Sequence, residues 1–378
     1  MARDEAASGS QEADNAGNEQ DAQEAVVLSI DAMGGDLGPT AVVDGLAEAL
    51  KQPAAADLRF LLHGPEAALR PLLVKRPTLS TRVELRDCEA TVAMGDRPTD
   101  ALRRGRESSM WRCLDSVASG EAAAAVSLGN TGALMAMSMV RLRLAPGIGR
   151  SAIAAHWPSQ NPAGFNVVLD MGADIRAEAR NLFDYALMGA EYARLTLDVE
   201  KPRVALLNIG AEDAKGRPEI AEAADRLKDA ADQDDAGFSY VGFIEGDKIA
   251  SSAADVIVTA GFTGNVALKT AEGTARLIGG FLRQAFQDSW RGRIAALFAY
   301  GPLRAFKLRI DPRRVNGGVF LGLNGVVVKS HGAADGVGVA SAVALAARLG
   351  RERIADRIVR QVAKLASDHD DPQIESSP

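Results

Sequence analysis

The stretch VVLSIDAMGGDLGP, residues 26–39, opens as an apolar run, breaks at two glycines and meets Pro39 just beyond. The run reads as a buried strand, the glycines as a tight turn, and the residues after them as a helix. In α/β proteins such a junction often cradles phosphate on free backbone N–H groups. Two carboxylates, Asp31 and Asp36, fence this turn, and an anion site avoids negative charge. Gly34 and Gly35 are therefore expected to permit a tight strand-to-helix turn. Asp31 and Asp36 are expected to accept hydrogen bonds from nearby loop N–H groups or lysines.

Outward from that junction, short apolar runs alternate with helical patterns. Strands are expected at 25–30, 58–64, 82–87, 122–129, 165–172, 203–210, 238–244 and 254–261. Several are apolar at consecutive positions, as in strands covered by helices on both faces. The alternation implies an α/β fold with a mostly parallel, doubly wound sheet, an αβα sandwich. Several strands end in glycine (SLGNTG, VLDMGA, LLNIGAED, VTAGFTGN), which suggests loops gathered around one crevice at the strands' carboxyl ends.

Composition narrows the classes. The chain has 378 residues, 47% of them hydrophobic, enough for one large core or two moderate ones. A net charge of −7 with 5% aromatics gives no footprint for nucleic acid. Cys88 and Cys113 stand apart and form no metal-ligand pattern, so no metal is expected and a reducing compartment fits. Residues 1–24 are an acidic, polar tail, expected to be disordered, as is the tail 370–378. Between them, 25–369 reads as a single domain. The N-terminal tail lacks the marks of a signal or transit peptide, and no run of about 18 apolar residues occurs. A cytoplasmic location is expected.

No Walker loop and no GxSxG elbow is present, and GIGRSA (147–152) follows no clear strand. Three polar constellations remain. In SLGNTGALMAM (127–137), Asn130 and Thr131 can cap a helix, with Gly129 and Gly132 beside them. In NIGAEDAKGRPEI (208–220), Asn208, Glu212, Asp213 and Lys215 occupy a loop before Pro218 enters a helix. In TAGFTGNVALKTAEG (259–273), Asn265 and Lys269 lie one helical turn apart, and NGVVVKSHGAADG (324–336) brings Lys329, Ser330 and His331. Capping and solvated ion pairs would account for each alone. Together, lysines, amides and helix N–H groups are tools for holding a phosphate and an oxyanion.

IDAMGGDLGP, RRGRESSM, GNTGALMA, NIGAEDAKG, GFTGNVALKTAEG and GLNGVVVKSHG occur in the order and spacing of one family. Across roughly residues 25–350 the chain closely resembles the bacterial phosphate acyltransferase (PlsX) family. The resemblance implies a Rossmann-like core and a reaction between long-chain acyl-[acyl carrier protein] and inorganic phosphate. The product, acyl phosphate, would feed glycerol-3-phosphate acylation in phospholipid synthesis. It also implies a homodimer, no cofactor, and peripheral association with the inner face of the membrane, with the downstream glycerol-3-phosphate acyltransferase a candidate partner there. By similarity Lys215 and Asn265 would carry catalysis. Lys215 would be either a nucleophile forming an acyl-lysine adduct or an electrostatic clamp, and Asn265 an oxyanion donor. Substrate would be bound by Asp31, Gly34, Gly35 and Asp36 of the first turn, Gly129, Asn130, Thr131 and Gly132, then Asn208, Glu212 and Asp213, with Lys269, Lys329, Ser330 and His331.

Departures from the family pattern are Ala260 where Asp is common, Leu128 in SLGN, and Arg217 after EDAKG. The stretch 276–310 mixes aromatics with many arginines, and a helical protrusion is expected at about 272–312. Phe286, Trp290, Arg291, Arg293, Phe298 and Tyr300 would meet an anionic bilayer there, or the segment would pack in a dimer interface. The same basic surface, or RRGR (103–106), could receive an acidic carrier protein. Alternatives are a phosphotransacetylase-like or isopropylmalate-dehydrogenase-like enzyme, or a non-catalytic membrane scaffold.

Overall fold

Strand β1 (Val26–Asp31) is buried over its last four residues. Its side chains alternate, so Leu28 and Ile30 join one core layer while Ser29 and Asp31 face the other. A computed structural model describes residues 25–210, 212, 215–233, 236–309 and 317–366, with 305–309 described by backbone alone. The expected tails 1–24 and 370–378 lie outside the described residues.

Ten further strands follow. These are β2 (Leu58–Gly64), β3 (Val83–Asp87), β4 (Ala124–Ser127), β5 (Ala152–Pro158), β6 (Phe165–Leu169) and β7 (Arg203–Leu207). The last are β8 (Ser239–Ile244), β9 (Val256–Val258), β10 (Gly318–Leu321) and β11 (Val326–Lys329). All join one 11-stranded sheet in the order β3-β2-β1-β4-β11-β10-β5-β6-β9-β7-β8. The eight expected strands are present, several trimmed at their glycine tails, whereas β5, β10 and β11 come in addition. Pairing is parallel except where β10 meets β11 and β5, and where β5 meets β6. The set β6-β9-β7-β8 therefore runs against the set β3-β2-β1-β4-β11.

That reversal alters the expected crevice, because the carboxyl ends of the two sets point in opposite directions. Short strands keep them close nonetheless. Lys329 pairs with Gly318, Phe320 pairs with Ile153, and the Ile153 N–H donates to Asp170 just past β6. Lys329 and Asp170 thus differ in level by two residues, or about 7 Å along the strands.

Helices cover both faces. The connections on the β1–β4 side hold α1 (Gly38–Ala49), α2 (Glu66–Val74), α3 (Pro77–Ser80), α4 (Pro98–Arg104), α5 (Ser109–Ala118) and α6 (Thr131–Arg141). Next come α7 (Ala179–Leu197), α8 (Pro218–Ala231), α9 (Gly261–Gln287), α10 (Trp290–Phe298) and α11 (Tyr300–Arg309). The chain closes with α12 (Gly336–Arg351) and α13 (Ile354–Ala366). Val42, Leu46, Tyr185, Val339 and Ile358 from α1, α7, α12 and α13 fill one core layer. Met110, Leu114, Leu134 and Met137 from α5 and α6 fill the other, and Ala267 and Leu268 of α9 pack on its border.

Helix α9 sets the outline of the protrusion. Its 27 residues extend about 40 Å, and only Gly261 and Gly264 are fully buried. The helix itself begins at Gly261; its first turns pack on the core, and its continuously exposed part starts just past residue 272. No helix among the described residues is long and apolar enough to cross a membrane.

Candidate active site

Asp31, Ser127 and Lys329 end three adjacent strands in register, Asp31 opposite Ser127 and Ser127 opposite Lys329. Ser127 and Lys329 lie two residues beyond Ala125 and Val327, and Asp31 four beyond Val27, all of the α5–α6 core layer, so the three face that side. Asp31 is fully enclosed. Its oxygens accept from the Ser109 hydroxyl at 2.7 Å, the Ser127 hydroxyl at 2.7 Å and the Met33 N–H at 3.2 Å. Burial raises its pKa, while these bonds and the charge of Lys329 oppose the rise. Of the expected partners a loop N–H, that of Met33, bonds Asp31, Lys329 acts on it through charge alone, and two hydroxyls come in addition.

The glycine turn is required by close approach. A Cβ at Gly34 would lie 2.5 Å from the Gly129 nitrogen, and Gly35 has φ +95°. The exposed Asp36 sends its N–H to the Gly332 carbonyl at 2.7 Å, tying the first turn to the loop after β11. Asn130 caps α6, its Oδ1 accepting from the Ala133 N–H at 3.0 Å. Its NH₂ group donates to the Met94 and Asp96 carbonyls at 2.8 and 2.9 Å. That amide is fully engaged in the scaffold; Thr131 and Gly132 remain exposed on the first turn of α6.

Lys329 carries the sharpest electrostatic signature. Its amine donates to the Leu128 carbonyl at 3.3 Å and to the Ser330 carbonyl. Burial pushes its pKa down to about 8, against the pull of Asp31 and Asp36, and Lys269 lowers it further. Ser330 is fully enclosed, so its hydroxyl does not front the crevice, and His331 Nδ1 accepts from the Ala333 N–H at 3.3 Å.

The second group of loops centres on Asp170, a residue the sequence motifs did not single out. Its carboxylate is buried and accepts from the N–H groups of Ile153, Gly172, Ala173 and Asp174 at 2.7–3.1 Å. A Cβ on Gly261 would meet Asp170 Oδ2 at 2.4 Å, and one on Gly264 would meet its carbonyl oxygen at 1.9 Å. Helix α9 therefore starts against Asp170. Ala260 leaves the helix without a side-chain cap, but the Asp170 carboxylate supplies negative charge at its positive end. The Asn265 side chain lies against Gly172, exposed. Lys269, one turn on, binds Glu272 at 3.0 Å.

Lys215 stands on the loop after β7. Its amine pairs with Glu212 at 2.9 Å, both side chains more than half exposed, and the pairing lowers the Glu212 pKa. Asn208 is buried and donates to the Lys215 carbonyl at 2.8 Å, shaping the loop from beneath. Asp213 lies outside the described residues. Among the described residues no hydrogen bond joins Lys215 to Asn265; they follow neighbouring strands, β7 beside β9. Trp290, Arg291, Arg293, Phe298 and Tyr300 are exposed and Phe286 half-buried, with the Arg291 guanidinium 5.4 Å from the Trp290 ring.

A family model described as "Fatty acid synthesis protein" matches residues 26–357. A phosphate acyltransferase of Paracoccus denitrificans (strain Pd 1222) is 56% identical over 340 residues, covering 90% of each chain. The chain belongs to the phosphate acyltransferase (PlsX) family. The family's member in Ruegeria pomeroyi is 54% identical, covering 90% of this chain and 91% of that one. Among solved structures, the EutD phosphotransacetylase from Staphylococcus aureus aligns with a TM-score of 0.57 at 14% identity. That match covers 86% of this chain and 94% of the other. A phosphotransacetylase from Streptococcus pyogenes gives 0.57 at 17%, covering 87% and 94%. Both share the α/β fold of this phosphate acyltransferase family member, and at such identity the likeness is one of fold.

Proposed function

We propose that this acyltransferase moves a long-chain acyl group from acyl-[acyl carrier protein] to inorganic phosphate, releasing acyl phosphate and the free carrier thiol. The observation that carries the reading is Asn265, an exposed amide on the first turns of α9, beside the Asp170 loop and one turn from Lys269. A phosphate oxygen attacks the thioester carbonyl, and the carbonyl oxygen gains negative charge. Asn265 donates to that oxygen, aided by the positive end of α9. The tetrahedral centre then expels the carrier thiolate, which takes up a proton.

Lys215 serves better as an electrostatic clamp than as a nucleophile. Forming an acyl-lysine adduct needs a neutral amine, and burial is the usual means of obtaining one. Lys215 is exposed and paired to a carboxylate. The acyl phosphate would pass to a glycerol-3-phosphate acyltransferase, and the enzyme would work as a cytoplasmic homodimer. Its exposed aromatic and arginine side chains on α9–α11 suit an anionic membrane surface.

The test is thiol release from palmitoyl-[acyl carrier protein] with and without phosphate, a coenzyme A thioester being the control donor because phosphotransacetylases share the fold. Phosphate-dependent release from the carrier protein is expected, and release from coenzyme A alone would overturn the donor assignment. Mass spectrometry of the quenched enzyme should find no acyl adduct on Lys215; such an adduct would overturn the clamp.

A further inference from the structure

The RRGR motif, residues 103–106, has no part in the chemistry above, and the fold lays it alongside α6. Helices α4 and α6 run side by side in the same direction. A Cβ on Gly132 would meet Pro98 at 2.9 Å, and one on Gly105 would meet the Met137 methyl at 2.6 Å. At the carboxyl ends, the guanidiniums of Arg106 and Arg141 lie 5.9 and 5.7 Å from the Trp111 ring centre. At the other end, the Asn130 amide binds the Met94 and Asp96 carbonyls and ties the loop before α4 to the start of α6. Arg97 just before α4 and Arg104 within it are seven residues apart and share a side of the helix, while Arg143 follows α6. All three are exposed and enter no ion pair among the described residues. The carboxylates nearby are engaged: Asp100 with Arg103, Glu107 with Arg112, Asp115 with Arg141, and Asp96 with the Ala93 N–H. Met94, Met139, Val140 and Leu144 of the same segments are exposed, Val140 by 53%. Unpaired cations bordering exposed apolar side chains complement an acidic, amphipathic helix.

Resting on the acyl-transfer reading above, we infer that the α4–α6 face docks the acyl carrier protein, its arginines meeting an acidic helix of that partner. The arginines of α10 are the rival surface, and distance decides between them. From Asn265 to Gln287, the last residue of α9, is 22 residues or about 33 Å of helix, and Arg291 lies beyond it. The start of α6 instead follows β4, four strand positions or about 19 Å across the sheet from β6, after which Asn265 lies against Gly172. A thioester on a flexible arm is delivered from the nearer surface. Arg97 marks the Asn130 end of the face, beside the crevice, and Arg106 the far end. The arm then enters over the exposed Thr131 and Gly132.

The experiment measures thiol release against palmitoyl-[acyl carrier protein] concentration for the wild type, for Arg97→Glu with Arg104→Glu, and for Arg291→Glu with Arg293→Glu. In the α4 variant the donor KM should rise about tenfold, while kcat and the phosphate KM stay within about twofold of wild type. Both arginines are exposed, so the melting temperature should match wild type. Added salt should raise the wild-type donor KM and raise it less in the α4 variant, a difference that a structural defect would not produce. The α10 variant should keep the wild-type donor KM. An unchanged donor KM in the α4 variant, or a rise confined to the α10 variant, overturns the assignment. Should the wild type release no thiol, the function reading fails, and calorimetric binding of the carrier protein decides this inference alone. Binding to wild type that is lost in the α4 variant supports it. No binding, or equal binding, overturns it, and equal binding with lost attachment to anionic liposomes gives the face to the membrane.

Discussion

Asp31 illustrates how one buried carboxylate orders several elements. It holds Ser109 of α5 and Ser127 of β4 and sets a counter-charge beside Lys329. Asp31→Ala would leave two buried hydroxyls without their acceptor, costing on the order of 1–3 kcal/mol each. The urea midpoint should therefore fall with little change in m-value, and a midpoint unchanged from wild type would contradict this role. Asn265 should behave in the opposite way. Being exposed, Asn265→Ala should leave the melting temperature in place while lowering kcat by about 10²–10³-fold, as for removal of an oxyanion donor. A loss of stability with kcat preserved would mean that its amide serves α9 and not the substrate.

At the scale of elements, the start of α9 and the start of α6 carry the site. Asn130→Ala removes both the α6 cap and the tie to Met94 and Asp96, and should destabilise by about 1 kcal/mol or more, read by thermal melting. On the protrusion, Arg291→Glu with Arg293→Glu should release the protein from liposomes rich in anionic lipid. Binding that persists through the charge reversal would remove these arginines from the membrane surface. Most of the eight strands of the alternating pattern were legible as short apolar runs, several of them closed by a glycine. The β10–β11 pair was not, since GVFL and VVVK are four residues each, and the first follows an arginine-rich stretch that reads as helix. Of the site, lysines and amides in glycine loops were legible. Asp170 was not: a carboxylate bound by the N–H groups of its own loop has no sequence period to betray it. Ser109 and Ser127 were quoted within motifs, but only the register of β1 and β4 shows that they converge on Asp31.

Across the whole molecule, the antiparallel pairings of β10 and β5 join two oppositely directed parallel sets into one sheet, with Lys329 and Asp170 two residues apart in level. Stability of this fold has a pH dependence traceable to His63. Its ring is buried under α5, bonded to Ser29 and Ser116, and its pKa falls to about 4, chiefly through burial, then through Arg86 and Arg112. The folded value lies below the unfolded 6.5, so His63's contribution is complete above pH 6.5 and lost as pH falls towards 4. Wild type should lose up to about 1.4 kcal/mol per pH unit from this group. Asp31, Asp170 and Asp184, whose pKa values are raised by burial, push in the opposite direction. The difference between wild type and His63→Gln in urea unfolding at pH 5 and pH 7 isolates the histidine, and equal pH slopes would contradict it. The central claim, acyl transfer to phosphate, is tested most directly by one assay: free thiol appearing from palmitoyl-[acyl carrier protein] as phosphate is added. The account predicts release that saturates with phosphate and is nearly abolished in Lys215→Ala; thiol release independent of phosphate, or undiminished in that variant, would contradict it.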